Sequence, residues 1–350
     1  MSPLVRGLTL SAALALPLSL SAQPEQRSLR GSHVAIYNLV GRIRAEAAAG
    51  ADVTVGITRV GPDAAKLAVR TATSGSREIL SIAYPADRIV YPEMRGTRSR
   101  LSVRDDGTFS DGDWGARGRR DGVEIRREGT GFEAHANLVV GIPKGKKVDL
   151  FLGVGRMEIS NVDGNLSVDV ASAEVDVAGV RGILSLDTGS GRVSVRDVTG
   201  ELSVDAGSGG VSLERVKGDV LVIDSGSGGV QASDIDVREL RADVGSGGLR
   251  MYRATAVTAD LETGSGGAHI ELLSDIERLR VETGSGGVTV RAPASLSAEV
   301  IVETGSGGFH TDFEITTRRM SRNHVAGRIG SGKGRIDIEA GSGTVRLLKN

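Results

Sequence analysis

Residues 202–230 read LSVDAGSGGVSLERVKGDVLVIDSGSGGV, one structural unit followed by the start of its copy. Leu202 and Val204 alternate with polar residues ahead of Gly207-Ser208-Gly209-Gly210, and Val211 and Leu213 alternate behind it. Period two marks a strand that buries one face, and a glycine-rich tetrad supplies a corner between two such strands. A second break follows at Val216-Lys217-Gly218, and Leu221 and Ile223 then lead into Gly226-Ser227-Gly228-Gly229.

Working outward, Gly-Ser-Gly recurs at Gly189, Gly207, Gly226, Gly245, Gly264, Gly284, Gly305, Gly330 and Gly341, in steps of 18, 19, 19, 19, 20, 21, 25 and 11 residues. Gly153-Val154-Gly155 and Ala171-Ser172-Ala173 are degenerate copies in the same phase, each 18 residues ahead of the next. Self-similarity at a fixed period announces a repeat architecture. No stretch from 150 to 350 shows a period of 3.6.

Two architectures fit. Stacking equivalent strands in parallel gives a β-solenoid with coils of about 19 residues, two main strands per coil; the alternative is an antiparallel β-meander or sandwich. Identical corners at a near-fixed period are what nesting demands, and a meander needs no such identity. The expected fold is therefore an all-β parallel solenoid of about ten or eleven coils, a rod about 50 Å long at ~4.8 Å per level. A single thin coil cannot bury enough to stand alone, so neighbour stacking must stabilise it.

Composition agrees. The 350 residues include 50 glycines, aromatics are 3% and hydrophobics 39%, as a core of small aliphatic side chains requires. Zero cysteines exclude disulfide scaffolds, cysteine-ligated metals and thiol nucleophiles. A formal charge of −1 gives the whole chain no pull toward nucleic acid.

Three regions follow. Residues 1–22, MSPLVRGLTLSAALALPLSLSA, read as a signal peptide: Arg6, a short apolar run from Leu8 to Leu20, and small residues favouring cleavage after Ala22. Residues 23–139 read as an irregular β-rich cap or first irregular coils. Val34–Ile36, Ile43, Val53–Ile57, Leu67–Val69, Ile79–Ile82 and Val123–Ile125 are strand-like there, and Gly41, Gly61-Pro62 and Ser74-Gly75 mark turns. Within that region the charged stretch 95–121, holding Trp114, is expected to be an exposed loop. Residues 140–350 form the solenoid.

The run Ile142–Val170, IPKGKKVDLFLGVGRMEISNVDGNLSVDV, opens on Ile142-Pro143-Lys144-Gly145 and continues into the Gly-Ser-Gly-Gly units. It resembles the bacterial putative-adhesin β-strand-repeat family, a domain of unknown function in exported or envelope proteins. The resemblance covers about 140–350 and implies an architecture. It carries no catalytic residues.

Candidate sites are few. Gly327–Lys333 approaches a phosphate-cradling loop, but Gly334 replaces the required hydroxyl and no helix follows, so it reads as another corner. Asp105–Asp113 looks like a calcium loop without the spacing or the final Glu, so it reads as a solvated loop. A column of acids stands two residues before the corner glycine: Asp169, Asp187, Asp205, Asp224, Asp243, Glu262, Glu282, Glu303 and Glu339. Stacked ~4.8 Å apart, neighbours repel by about 0.9 kcal/mol even in bulk water. Each acid accepting the corner glycine N–H in an Asx-type turn would offset this; the sharper alternative is a row that collects cations. His33, His135, His269, His310 and His324 share no metal-ligand spacing, and the corner serines from Ser190 to Ser342 are expected to bond backbone at the bend.

The expectation is an exported, non-enzymatic cell-envelope protein, periplasmic or extracellular, presenting a rigid surface for adhesion or scaffolding. It has no catalytic, metal or cofactor-binding residues. Its partner is an envelope protein or glycan, with no nucleic acid and no transmembrane segment in the mature chain. Alternatives are a carbohydrate-binding or carbohydrate-active β-helix, and an envelope-stress sensing module.

Overall fold

A computed structural model describes residues 24–109 and 119–350. The leader expected at 1–22, and Asp111, Asp113, Trp114 and Arg117, lie outside the described residues. Among the described residues the only helical piece is a 3-10 turn, Ala64–Lys66, and no helix is long and apolar enough to cross a membrane.

The alternating segments become long strands that run parallel, each to the next. The order is His33–Ala47, Lys147–Ser160, Asp163–Ser190, Val193–Ala206, Val211–Ser225, Val230–Val244 and Leu249–Thr263. Val193 lies beside Val211, Val211 beside Val230 and Val230 beside Leu249, so the sequence period becomes a spatial neighbour relation. Parallel pairing excludes a meander across these strands. Inward positions form columns, such as Leu202, Leu221, Leu240, Ala259 and Leu279, all buried.

The corners nest. Gly226 N–H donates to the Ala206 carbonyl at 2.9 Å and Ser227 N–H to the Gly207 carbonyl at 3.0 Å. A Cβ on Gly247 would sit 2.1 Å from the Gly228 carbonyl oxygen, and one on Gly266 would sit 1.8 Å from that of Gly247. The carbonyl of one corner thus occupies the space of its neighbour's side chain, and only glycine fits. The buried residue ahead of the corner pins it from inside: Ser225 Oγ donates to the Gly228 carbonyl at 2.9 Å and Thr283 Oγ1 to that of Gly286 at 2.7 Å. The corner serines bond backbone only at long range, as Ser208 Oγ does to the Gly189 carbonyl at 3.4 Å.

At the other end, His33–Ala47 continues the stack beneath Lys147–Ser160, with Gly41 beside Gly155. Gly41 was expected to mark a turn, but it lies inside a strand, in the corner column, where a Cβ would meet the Ala136 carbonyl oxygen at 2.1 Å. Two separate strands, Arg77–Ala83 and His135–Ile142, pair in parallel with the free edge of His33–Ala47. Beyond them the pairing turns antiparallel, through Val53–Val60, Glu25–Leu29 and Ala68–Ser74. The charged stretch 95–121 is not one exposed loop. Arg98–Arg104 pairs antiparallel with Arg119–Arg126, which pairs parallel with Arg88–Val90, because Leu101, Val103, Val123 and Ile125 bury one face of this small sheet.

The last units depart from chain order. Gly334–Ala340 pairs in parallel with Arg278–Thr283 on one side and with Ala298–Thr304 on the other. Val345–Lys349 likewise lies between Val288–Ala292 and Phe309–Thr311. The final unit is therefore inserted one level below its predecessor. Between the two, Thr316–Met320 and His324–Ile329 form an antiparallel hairpin on Ala298–Thr304. This corrects the reading of Gly330-Ser331-Gly332 as a corner of the repeat. It is a turn with positive φ at Gly330 and Gly332 that carries the chain past Ala298, and the steps of 25 and 11 record that detour.

Gly247→Ala is expected to lower unfolding free energy in urea by about 2–4 kcal/mol, since backbone must shift on both levels. Gly248→Ala, whose Cβ would stand 3.4 Å from the Gly267 carbonyl oxygen, is expected to be close to neutral.

Candidate functional site

Away from the glycine corners the chain turns a second time, and on six successive levels one residue there adopts the left-handed backbone region. These residues form a column: Asn161 (φ 55), Gly179 (73), Asp197 (57), Arg215 (54), Asp234 (56) and Arg253 (52). Non-glycine residues rarely adopt this conformation, though Asn and Asp tolerate it best. Its recurrence shows that the stack imposes the bend. A turn later, Gly182, Gly200 and Gly218 stack so closely that a Cβ on Gly200 would lie 2.0 Å from the Gly182 carbonyl oxygen.

These two columns shape a trough along the stack. One part, about 570 Å³, is lined by Asn161, Arg181, Asp197, Thr199, Arg215 and Lys217 among others. A neighbouring part of about 560 Å³ shares Lys217 and Asp236 and reaches Arg238, Val257 and Glu277. Exposed Ile183 and Val257 add apolar wall. The trough is wide open to solvent along its length.

Its charges are arranged by level. Arg215 makes a bidentate pair with Asp197, Nε to Oδ1 at 2.6 Å and Nη2 to Oδ2 at 3.2 Å, and Arg253 grips Asp234 in the same way. Lys217 Nζ lies 3.0 Å from Asp236 Oδ2. Hydrogen bonding from the guanidinium groups holds Asp197 and Asp234 below the usual carboxylate range. The alternation Asp197, Arg215, Asp234, Arg253 stands in the sequence eight residues after Gly189, Gly207, Gly226 and Gly245, at the same steps of 18, 19 and 19.

The acid column stands on the outer side of the strands ahead of the corner. Asp187, Asp205, Asp224, Asp243, Glu262, Glu282, Glu339 and Glu303 are successive neighbours in register, with Glu339 ahead of Glu303 because of the inserted unit. The Asx-type turn does not form. The corner glycine N–H groups are taken by backbone, Gly207 by the Thr188 carbonyl at 2.8 Å and Gly245 by that of Ser225 at 2.8 Å. Partial burial, then the charges of Asp187 and Asp224, hold Asp205 above the usual carboxylate range. Where partners occur they are lateral: Arg280 bonds Glu282, and His324 Nδ1 lies 3.1 Å from Glu303 Oε1.

The remaining candidates are dispersed. His33 Nε2 is 2.7 Å from Asp149 Oδ2, which also faces Arg77 Nε at 3.1 Å, and Arg77 lies over the stacked rings of Tyr37 and Phe151. His135 packs on Tyr91, and burial lowers its pKa; His269 tilts against Tyr252, and His310 is exposed. Asp106 Oδ1 accepts from Thr108 N–H at 2.9 Å and Thr108 Oγ1 at 2.7 Å. Among the described residues no three His, Asp or Glu side chains converge to hold a metal ion.

The family model described as Toastrack DUF4097 matches residues 127–348. No curated protein matches the chain. A solved structure, a putative cell adhesion protein from Clostridium sporogenes ATCC 15579, is similar over 94% of this chain and 100% of that one. Its 12% identity and TM-score of 0.21 make it too distant to bear on fold or function.

Asp205 contributes least to stability where it is ionised. A carboxyl whose folded pKa is raised is favourable when protonated, and that contribution is lost as pH rises through the folded value. Asp205→Asn is therefore expected to raise Tm at pH 7, to lose its advantage as pH falls below ~3.9, and to lose part of it in molar salt. Thermal unfolding across pH and ionic strength checks all three.

Proposed function

We propose, from the premise that the chain belongs to the Toastrack DUF4097 family, that it is an exported, non-enzymatic β-solenoid whose sides bind an extended envelope ligand. Its levels are coils of about 19 residues, as the offset from Val211 to Val230 supports. The observation that carries this reading is the trough along the second bend. It runs for about 25–30 Å at ~4.8 Å per level; its bend recurs from level to level and its arginine–aspartate pairs every second level. A surface of that kind accepts a repeating or extended ligand and makes many weak contacts rather than a few strong ones.

Catalysis asks for other geometry. A hydrolase of polysaccharides needs two carboxyl groups facing each other across the scissile bond. In the acid column the carboxylates share one side of the sheet, and Asp197 and Asp234 are already held by arginine. Adhesion or scaffolding fits the surface better than turnover, and the ligand class we favour is a glycan chain of the envelope.

The mature chain, probed on a glycan array and incubated with envelope polysaccharides, is expected to retain glycan without releasing reducing ends. Lys217→Ala together with Arg238→Ala should weaken retention, while His310→Ala, away from the trough, should leave it unchanged. Released reducing ends would overturn the non-enzymatic reading, and retention indifferent to the trough pair would overturn the site. Export is checked separately: the N-terminal residue of the mature protein should be Gln23.

A further inference from the structure

The segment Gly334–Lys349 fills a slot whose two walls are made by residues that precede it in sequence. One wall is Arg278–Thr283 with Val288–Ala292, and the other is Ala298–Thr304 with Phe309–Thr311. The corner at Gly341 sits between those at Gly284 and Gly305: Gly341 N–H donates to the Thr283 carbonyl at 2.9 Å, and Gly305 N–H to the Ala340 carbonyl at 2.9 Å. Ile336, Ile338, Ala340, Val345 and Leu347 are buried in the slot.

What holds the segment is the slot, not the link that leads to it. Gly330–Lys333 is largely exposed, and its attachments are Gly332 N–H to the Ile329 carbonyl at 3.2 Å and a few bonds to Ser297. Both walls recognise features common to every copy of the chain, namely a register, a glycine corner and five aliphatic side chains. An empty slot would leave two strand edges on each wall unpaired and apolar side chains in water, so it will be filled. During synthesis the walls are made first.

We propose that this slot is a strand-exchange site in which Gly334–Lys349 of a second copy replaces the chain's own segment, joining copies of the protein. The exchanged form keeps every contact of the slot and differs in the path of the exposed link alone, the condition under which swapping is inexpensive. Linked copies would present several troughs together, so that their binding becomes partly intramolecular.

The chain has no cysteine, and Glu282 and Glu339 are neighbours in register with outward side chains. Their backbones are ~4.8 Å apart, within reach of a disulfide. Full-length Glu282→Cys and Glu339→Cys chains, co-expressed and oxidised in air, are expected to give a covalent dimer that neither variant gives alone. A chain carrying both substitutions, oxidised at high dilution where it is a monomer, should lock within itself and then form no new dimer at high concentration. Absence of a dimer specific to the mixture would overturn exchange. So would undiminished dimerisation of the internally locked chain, which would place the contact on another face. Far-UV circular dichroism and the Tm of each variant confirm that it is folded.

Discussion

Everything in this structure depends on a missing atom. At each corner the carbonyl oxygen of one glycine stands where a Cβ of the next would be, as between Gly228 and Gly247. That approach lets the N–H groups of the corner reach carbonyls of the neighbouring level, Ser227 to Gly207 and Ser246 to Gly226. Were a side chain present, the levels would separate at the corner and the flanking strands would lose register. Register in turn decides which residues meet. It sends Leu202, Leu221 and Leu240 into one buried column and brings Asp187, Asp205 and Asp224 to one exposed row.

Stacking amplifies whatever a position carries. A charge repeated in phase meets itself, and one that alternates meets its opposite. The acid row is the first case: partial burial, and after it the carboxylates above and below, hold Asp205 over the usual carboxylate range. The left-handed column is the second case: Asp197 with Arg215 and Asp234 with Arg253 form fork-shaped pairs across adjacent levels. These pairs are exposed, and single exposed pairs add little to stability. Their effect is to fix side chains along a bend whose backbone is already strained. The trough is consequently a surface of ordered polar groups, and ordering before binding lowers the entropic cost of contact.

The repetitive part of the fold was legible because period and pairing coincide: the distance from one Gly-Ser-Gly to the next is the distance between hydrogen-bonded neighbours. Legibility failed where pairing and sequence order separate. Residues 33–47 carry a corner at Leu39-Val40-Gly41 without its serine, and they pair with 135–142 and 77–81, far along the chain. No local pattern encodes such partners. The triplet Gly330-Ser331-Gly332 failed in the opposite way, having the letters of a corner without its environment. Both its glycines take positive φ, and its Ser331 N–H donates to Ser297 Oγ. The trough charges stand eight residues past each glycine corner, but nothing in their letters marks the left-handed bend that turns Asp197 toward Arg215 and Asp234 toward Arg253. The corner clamp made by Ser225, Thr263, Thr283 and Thr304 hides for another reason: a buried hydroxyl one residue from a turn looks like an ordinary strand residue.

A parallel stack has a fault that its own regularity creates: each terminal level offers unpaired edges to any similar strand. At both ends a strand reverses direction. Val53–Val60 lies antiparallel on His135–Ile142, and His324–Ile329 lies antiparallel on Ala298–Thr304. A reversed strand cannot continue the corner column, so the nesting that drives growth stops there. The outermost strand at the far end, Thr316–Met320, is wholly exposed and carries Arg318 and Arg319, charges of the kind that discourage edge-to-edge pairing. The inserted unit strengthens this closure, because the hairpin leaves the stack from Phe309–Thr311 and the chain returns through Gly334–Ala340 one level deeper. Peeling the hairpin away must therefore disturb two levels instead of one. The reversed strands thus sit at the ends of the stack, and the groups that repeat stand in order along its sides.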